Sequence, residues 1–219
     1  MYANNIKNSA RLVGEVVSSH STDKVTILTI KTEKKDEEKT KFSFPKAICF
    51  EKVKPQADKI EIGDHVLVDC TIQSNKRDEN IKNQAMRTIA VNHISKVDPS
   101  DERYHSVNAF KFFCKIININ RVNEHVATAR ITFYTTRAHY LTVVYKNADI
   151  AKVDEFCNLP LYEYYVLFGS IETKKFPRKD GSVKFTEDCV ISSYSRVKRK
   201  TSANTSDKKE DTVSETNNN

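Results

Sequence analysis

The sequence predicts an all-β protein with short helices, built as two five-stranded barrels in tandem and a disordered C-terminal tail. Three observations predict it. Apolar and polar residues alternate at period two, the repeat of a strand with one buried face: Val66, Val68, Cys70 and Ile72 share one face, with His65, Asp69 and Thr71 on the other. The alternating segments recur in the same order about a hundred residues further on, the sign of an internal repeat. Polar, turn-forming stretches separate the segments.

In the first unit, strand one is read in residues 10–18 (ARLVGEVVS), strand two in 25–32 (VTILTIKT) and strand three in 40–50 (TKFSFPKAICF). A helix or irregular turn follows over 51–60, where Pro55 would interrupt a long helix. Residues 63–76 (GDHVLVDCTIQSNK) make strand four and lead into a polar hairpin over 74–80; a fifth strand closes at 93–97. In the second unit, 109–117 (AFKFFCKII) corresponds to 10–18, 128–135 (TARITFYT) to 25–32, and 137–145 (RAHYLTVVY) roughly to 40–50. A helix or turn over 147–157 comes next, then 162–175 (YEYYVLFGSIETKK) matching 63–76 with Ile171 on Ile72, and a closing run at 193–197. Asp180-Gly181 is a strong hairpin signal, because a type I′ turn needs a positive φ that Gly tolerates. The expected boundaries are a first barrel over 1–97, a linker over 98–106, a second barrel over 107–198 and a tail over 199–219. In residues 201–219 Val213 is the one large aliphatic residue and no aromatic occurs. Such a segment cannot bury enough apolar surface to offset its ordering entropy, so it is expected to be disordered.

The net charge is +7, carried by the body of the chain, while residues 201–219 are slightly acidic. A basic body suits a polyanionic partner, because neutralising phosphates releases counterions. Only 4 glycines occur, which argues against nucleotide-binding folds that need several glycine turns. No P-loop, nucleophile elbow or HExxH is found. His20, His65, His93, His105, His125 and His139 are dispersed, and Asp36-Glu37-Glu38 reads as solvated loop charge between lysines. Cys49, Cys70, Cys114, Cys157 and Cys189 stand singly without metal-ligand spacing. They read as reduced, mostly buried thiols of a cytosolic protein. No apolar run approaches the roughly 18 residues of a bilayer span, and the polar N-terminus lacks a targeting pattern. The expectation is a non-enzyme without cofactor, metal or membrane association.

Five strands with a short helix between the third and fourth is the order of the OB-fold. Three segments carry a further resemblance: Asn8-Ser9-Ala10-Arg11-Leu12-Val13-Gly14-Glu15-Val16, then Phe44-Pro45-Lys46-Ala47-Ile48-Cys49-Phe50, then Ile62-Gly63-Asp64-His65-Val66. On these the first unit resembles the bacterial single-stranded-DNA-binding protein family, at its opening strand, at the apolar run before its helix and at the start of its fourth strand. The resemblance covers residues 8–97 well and 108–197 weakly. It implies binding and coating of single-stranded DNA in replication, recombination or transfer inside a bacterial cell, with two barrels per chain as in some members. The chain departs from the family by having no tryptophan and by ending Thr216-Asn217-Asn218-Asn219, where the family has an acidic tail with a hydrophobic tip. The Asn/Lys-rich composition and the missing tip suit a phage, plasmid or conjugative-element protein.

Sequence-tolerant binding of single strands needs aromatic faces to stack on bases and cations to track the backbone. Phe42 and Phe44 lie two apart on one strand, Lys46 continues their face, and Phe50 ends the run; alternation alone leaves open which face meets solvent. In the second unit Arg130 and Tyr134 lie opposite an apolar face that includes Phe133, so Tyr134 is the stacking candidate and Phe133 a core residue. Tyr140 and Tyr145 fall on opposite faces, and Tyr140 is preferred. The hairpin over 173–185 gathers Lys174, Lys175, Arg178, Lys179 and Lys184 around Phe176, in a loop that OB proteins use to grip strands. Lys76 and Arg77 hold the counterpart place in the first unit. Lys198-Arg199-Lys200 could add phosphate contacts. About six phosphate contacts imply a log–log salt slope near −4, at about −0.7 per single-strand phosphate. Single-stranded RNA binding and a protein–protein adaptor role are the alternatives, and self-association or a filament along DNA is compatible with exposed barrel edges.

Overall fold

The computed structural model describes residues 8–35, 39–75, 87–135, 137–177 and 183–197, without the side chains of 176, 177, 183 and 184. Eleven strands follow one another: β1 (Ser9–Ser21), β2 (Thr26–Lys35), β3 (Thr40–Ser43), β4 (Lys46–Cys49), β5 (His65–Ser74), β6 (Arg87–Lys96), β7 (Val107–Asn123), β8 (Val126–Tyr134), β9 (Ala138–Lys146), β10 (Tyr164–Pro177) and β11 (Val183–Arg196). Helix α1 (Lys54–Ala57) precedes β5, α2 (Ile150–Cys157) precedes β10, and a 3₁₀ turn (Glu102–Tyr104) lies between β6 and β7. The pairing β1–β2–β4–β6–β5–β1 closes one ring, parallel only between β4 and β6. The pairing β7–β8–β9–β11–β10–β7 closes a second, parallel only between β9 and β11. Two OB-fold barrels result. Each is bulged at the same place on its last strand, where the register jumps from His93 to Val91 and from Ser193 to Ile191.

The third strand of the first barrel is split, not continuous as read from sequence. Pro45 has no N–H to give the ladder. It interrupts the strand between β3 and β4, though its carbonyl still accepts from the Ile30 N–H at 3.0 Å. No long helix forms around Pro55, and α1 has four residues. The proline sits in the first turn of α1, where a missing N–H is harmless. Gly14 lies where β1 leaves β5 for β2, and a Cβ there would sit inside the Lys31 carbonyl.

The alternation places Leu12, Leu28, Ile30, Ile72 and Ile89 inside the first barrel and Phe112, Ile116, Ile131, Leu167 and Ile171 inside the second. The second is richer in rings. Phe112 stacks on Phe133 at 5.6 Å, and Phe156 of α2 stacks on Tyr145 at 4.4 Å. The buried Tyr165 hydroxyl is satisfied by the Pro160 carbonyl at 2.9 Å. The cysteines are free, and burial pushes the Cys49 and Cys189 thiols up to about 11 and those of Cys70 and Cys114 to about 12. Among the described residues, no helix is long and apolar enough to cross a membrane, and no cluster of metal-ligating side chains occurs.

The barrels meet along β1 and β7, antiparallel, from Ser9↔Lys111 to Val13↔Val107. Asn8 and Asn108 open the two strands and do the same job. Asn8 donates to the Ile72 carbonyl and accepts from the Ile72 N–H at 3.2 Å; Asn108 donates to the Ile171 carbonyl and accepts from the Ile171 N–H, both at 2.8 Å. The Ile72–Ile171 match read from sequence therefore holds. The first-strand match does not: Asn8 falls on Asn108, so Ala10 corresponds to buried Phe110 and not to exposed Ala109. Strand two is also shifted, with Ile30 falling on Ile131, because both pair with the equivalent Val16 and Ile116. The hairpin turn expected at Asp180-Gly181 and the tail over 199–219 lie outside the described residues.

Candidate nucleic-acid interface

On the outer face of the first barrel, β2 carries Thr29, Lys31 and Glu33. Lys46 lies opposite Thr29 and Phe42 opposite Glu33. Phe42, Phe44 and Phe50 are all exposed, Phe42 by 47%. The face left open by alternation is thus the solvent face for both Phe42 and Phe44. The Lys31 ammonium lies 5.2 Å from the centre of the Phe42 ring.

On the second barrel, Arg130 lies opposite Thr142, Thr132 opposite Tyr140 and Tyr134 opposite Ala138. Ala138 has nothing to cover a ring, which leaves Tyr134 76% exposed, against 50% for Tyr140. Tyr134 and Tyr140 are diagonal neighbours on one face, a relation that lets long side chains meet. The Arg130 guanidinium lies 5.8 Å from the Tyr140 ring. Phe133 and Tyr145 are buried, as the alternation predicts. The cross-strand pair Arg130–Thr142 occupies the place of Thr29–Lys46, with the cation on the other strand.

Backbone contacts place Phe44 and Tyr140 at equivalent points. The Phe44 N–H donates to the Thr173 hydroxyl at 2.9 Å, and the Tyr140 N–H donates to the Ser74 hydroxyl at 3.2 Å. Thr173 and Ser74 begin the hairpins of β10–β11 and β5–β6. Each barrel's strand four–five hairpin therefore latches onto the other barrel's ring-bearing strand. The first latch gains a bond from the Lys46 N–H to Glu187 at 2.8 Å, and desolvation there raises the Glu187 carboxyl. The second gains Arg137, which donates to the Ser74 carbonyl at 2.7 Å, and His139, whose Nδ1 accepts from the Ser74 N–H at 3.2 Å.

The β10–β11 hairpin thus adds its own side chains to the first barrel's face. Thr173 pairs with Glu187 and Lys175 with Phe185, so all four share one side. Phe185, 57% exposed, is a ring that sequence reasoning missed. Lys174 is held by Asp188 at 2.6 Å, a half-buried pair that leaves it less free than Lys175. Phe176 and Lys184 are cross-strand partners, and their side chains lie outside what is described. Lys76, Arg77, Arg178, Lys179 and Lys198-Arg199-Lys200 also lie outside the described residues.

A further ring-and-cation row was not anticipated. On the outer face of β7–β10, Phe113 stacks on Tyr164 at 5.0 Å, Lys115 lies 4.8 Å from the Tyr164 ring, and Lys111 lies 5.6 Å from the Phe168 ring. In the first barrel the place of Lys111 and Phe168 is taken by the ion pair of Arg11 and Asp69, at 2.8 Å. Phe168 is 41% exposed, less than Tyr134.

No protein-family model matches the sequence, and no curated protein matches it. Solved structures do. The chain is similar to the wild-type single-stranded DNA binding protein of Thermus aquaticus, with a TM-score of 0.67 at 12% identity over 90% of this chain and 96% of that one. A deletion variant of that protein gives 0.62 at 13% identity over 89% and 96%. At such identity the likeness is one of fold, and it spans both barrels.

Proposed function

We propose that this chain binds single-stranded DNA with little regard to sequence and coats it, its two barrels gripping one strand in series during replication, recombination or transfer. The observation that carries this reading is the recurrence, at equivalent positions of both barrels, of an exposed ring, Phe44 and Tyr140, with one cation in the equivalent cross-strand pair, Lys46 opposite Thr29 and Arg130 opposite Thr142. Stacking needs the flat faces of unpaired bases, which a duplex hides, so the arrangement selects single strands. The cations follow the phosphates. The shared fold with a protein named for single-stranded DNA binding supports DNA as the ligand.

The test is titration of tyrosine fluorescence with poly-dT, duplex DNA and single-stranded RNA at two salt concentrations. Quenching by poly-dT and little by duplex is expected. Tyr134→Ala and Tyr140→Ala should each weaken binding by about 1–3 kcal/mol. Joint Lys46→Gln and Arg130→Gln should flatten the salt slope by about 1.4, at about 0.7 per phosphate contact. Absence of salt-sensitive binding to any oligonucleotide would reject the proposal in favour of an adaptor role, and a preference for RNA would redirect it.

A further inference from the structure

We propose that Phe185, on the second barrel's hairpin, is a stacking platform of the first barrel's strand site, so that this site is complete only with a ring lent by the other barrel. This rests on the single-strand reading above and adds a residue to it.

The placement follows from register. Thr173 faces Glu187 across β10 and β11, and two residues further along the same regular ladder Lys175 faces Phe185. Directly opposed residues, and residues two apart on a strand, share one side of a hairpin. Thr173 accepts from the Phe44 N–H at 2.9 Å and Glu187 from the Lys46 N–H at 2.8 Å, so that side is turned toward β3 and β4. Phe185 therefore stands just past the latch, about 7 Å along the strand from Glu187 at about 3.4 Å per residue.

The base of the hairpin is fixed by charge as well. Asp188 pairs with Lys174 at 2.6 Å and with Arg87 of the first barrel at 3.5 Å. A platform braced before its ligand arrives loses little freedom on binding. Yet the ring itself is uncovered, and so is Lys175. An apolar ring held out in water gains by covering its face, and an unpaired base offers a flat surface to do so. The contact at the ring is a base and not a phosphate, because Glu187 beside it is a carboxylate. Lys175, across the hairpin from the ring, is the cation placed for the backbone.

The chain has no tryptophan, so Phe185→Trp puts a single indole at this point of the full-length protein. Its emission should be quenched when an oligothymidylate of about 10 nucleotides, within the site of one barrel, saturates the protein. Unchanged emission would overturn the platform. Two backgrounds then show which barrel it serves. With Tyr134→Ala and Tyr140→Ala the short strand is left to the first barrel, and adding Phe185→Ala should cost about tenfold in affinity. With Phe42→Ala and Phe44→Ala it is left to the second, and Phe185→Ala should cost nothing. A loss as large in the second background, or no loss in either, would overturn the shared site and leave the proposed function standing. Failure of the wild type to bind the oligonucleotide would overturn the single-strand reading itself.

Discussion

Tyr162 has φ of 63°, and its counterpart Gly63 has φ of 96°. Both N–H groups bond the equivalent carbonyl, Ile116 at 2.7 Å and Val16 at 2.8 Å, so the fold requires a left-handed residue at the turn into strand four. Glycine adopts that conformation freely, whereas an L side chain costs about 1–2 kcal/mol there. Tyr162 is 69% exposed, and packing in this chain returns little of that cost. Tyr162→Gly should therefore raise stability by about 0.5–1 kcal/mol in urea melts, the glycine's own unfolded-state entropy taking back part of the relief. A destabilised variant would show that the ring's packing outweighs the strain.

The strand four–five hairpins and the strands they latch are where the sequence reading was most and least informative. Strands four were matched correctly because the alternation from Val66 to Ile72 is strict and the Ile72–Ile171 anchor falls on it. Strand two was misaligned by an even step, which keeps every side chain on its face and is invisible to a period of two. Strand one was off by a single residue, which swaps faces; the Asn8–Asn108 match marks the true register, but its meaning lies in bonds to strands far along the chain. Tyr134 was legible beside core Phe133 for the same reason of parity. The latches were not, because a backbone N–H meeting a hydroxyl leaves no mark in composition, and Phe185 gained its place only once Thr173 and Glu187 were seen to face the first barrel. His139 belongs to this hidden layer. It is buried, and desolvation, aided by the Arg137 charge, lowers its pKa. A lowered histidine contributes stability that is full above the unfolded value of about 6.5 and is lost as pH falls through the folded value. Protonated Nδ1 can no longer accept from the Ser74 N–H. Melting temperatures taken from pH 8 downward should fall below about pH 6.5, and His139→Asn, which keeps an acceptor, should show a flatter profile. Equal profiles would place the acid sensitivity elsewhere.

At the scale of the molecule, the β1–β7 seam, the two latches and a single continuous core bind the barrels together. Asn108 joins the same seam, since its side chain also donates to the Thr32 hydroxyl of the first barrel at 2.9 Å. Opening either barrel gives up the seam and latch bonds and exposes the shared apolar core to water. The chain should therefore unfold as one cooperative unit. The distribution of tyrosines makes this easy to read: apart from Tyr2, they lie at Tyr104 and beyond. Tyrosine fluorescence consequently follows the second barrel and the linker, while far-ultraviolet circular dichroism follows both barrels. The two probes should give coincident denaturation curves in the wild type. Asn108→Ala, which leaves Ile171 and Thr32 without their partner, should lower the midpoint for both probes together if the seam couples the barrels. Two separated transitions in the wild type would mean that the barrels fold independently, and the latches would then be contacts between finished units and not part of what holds either one together.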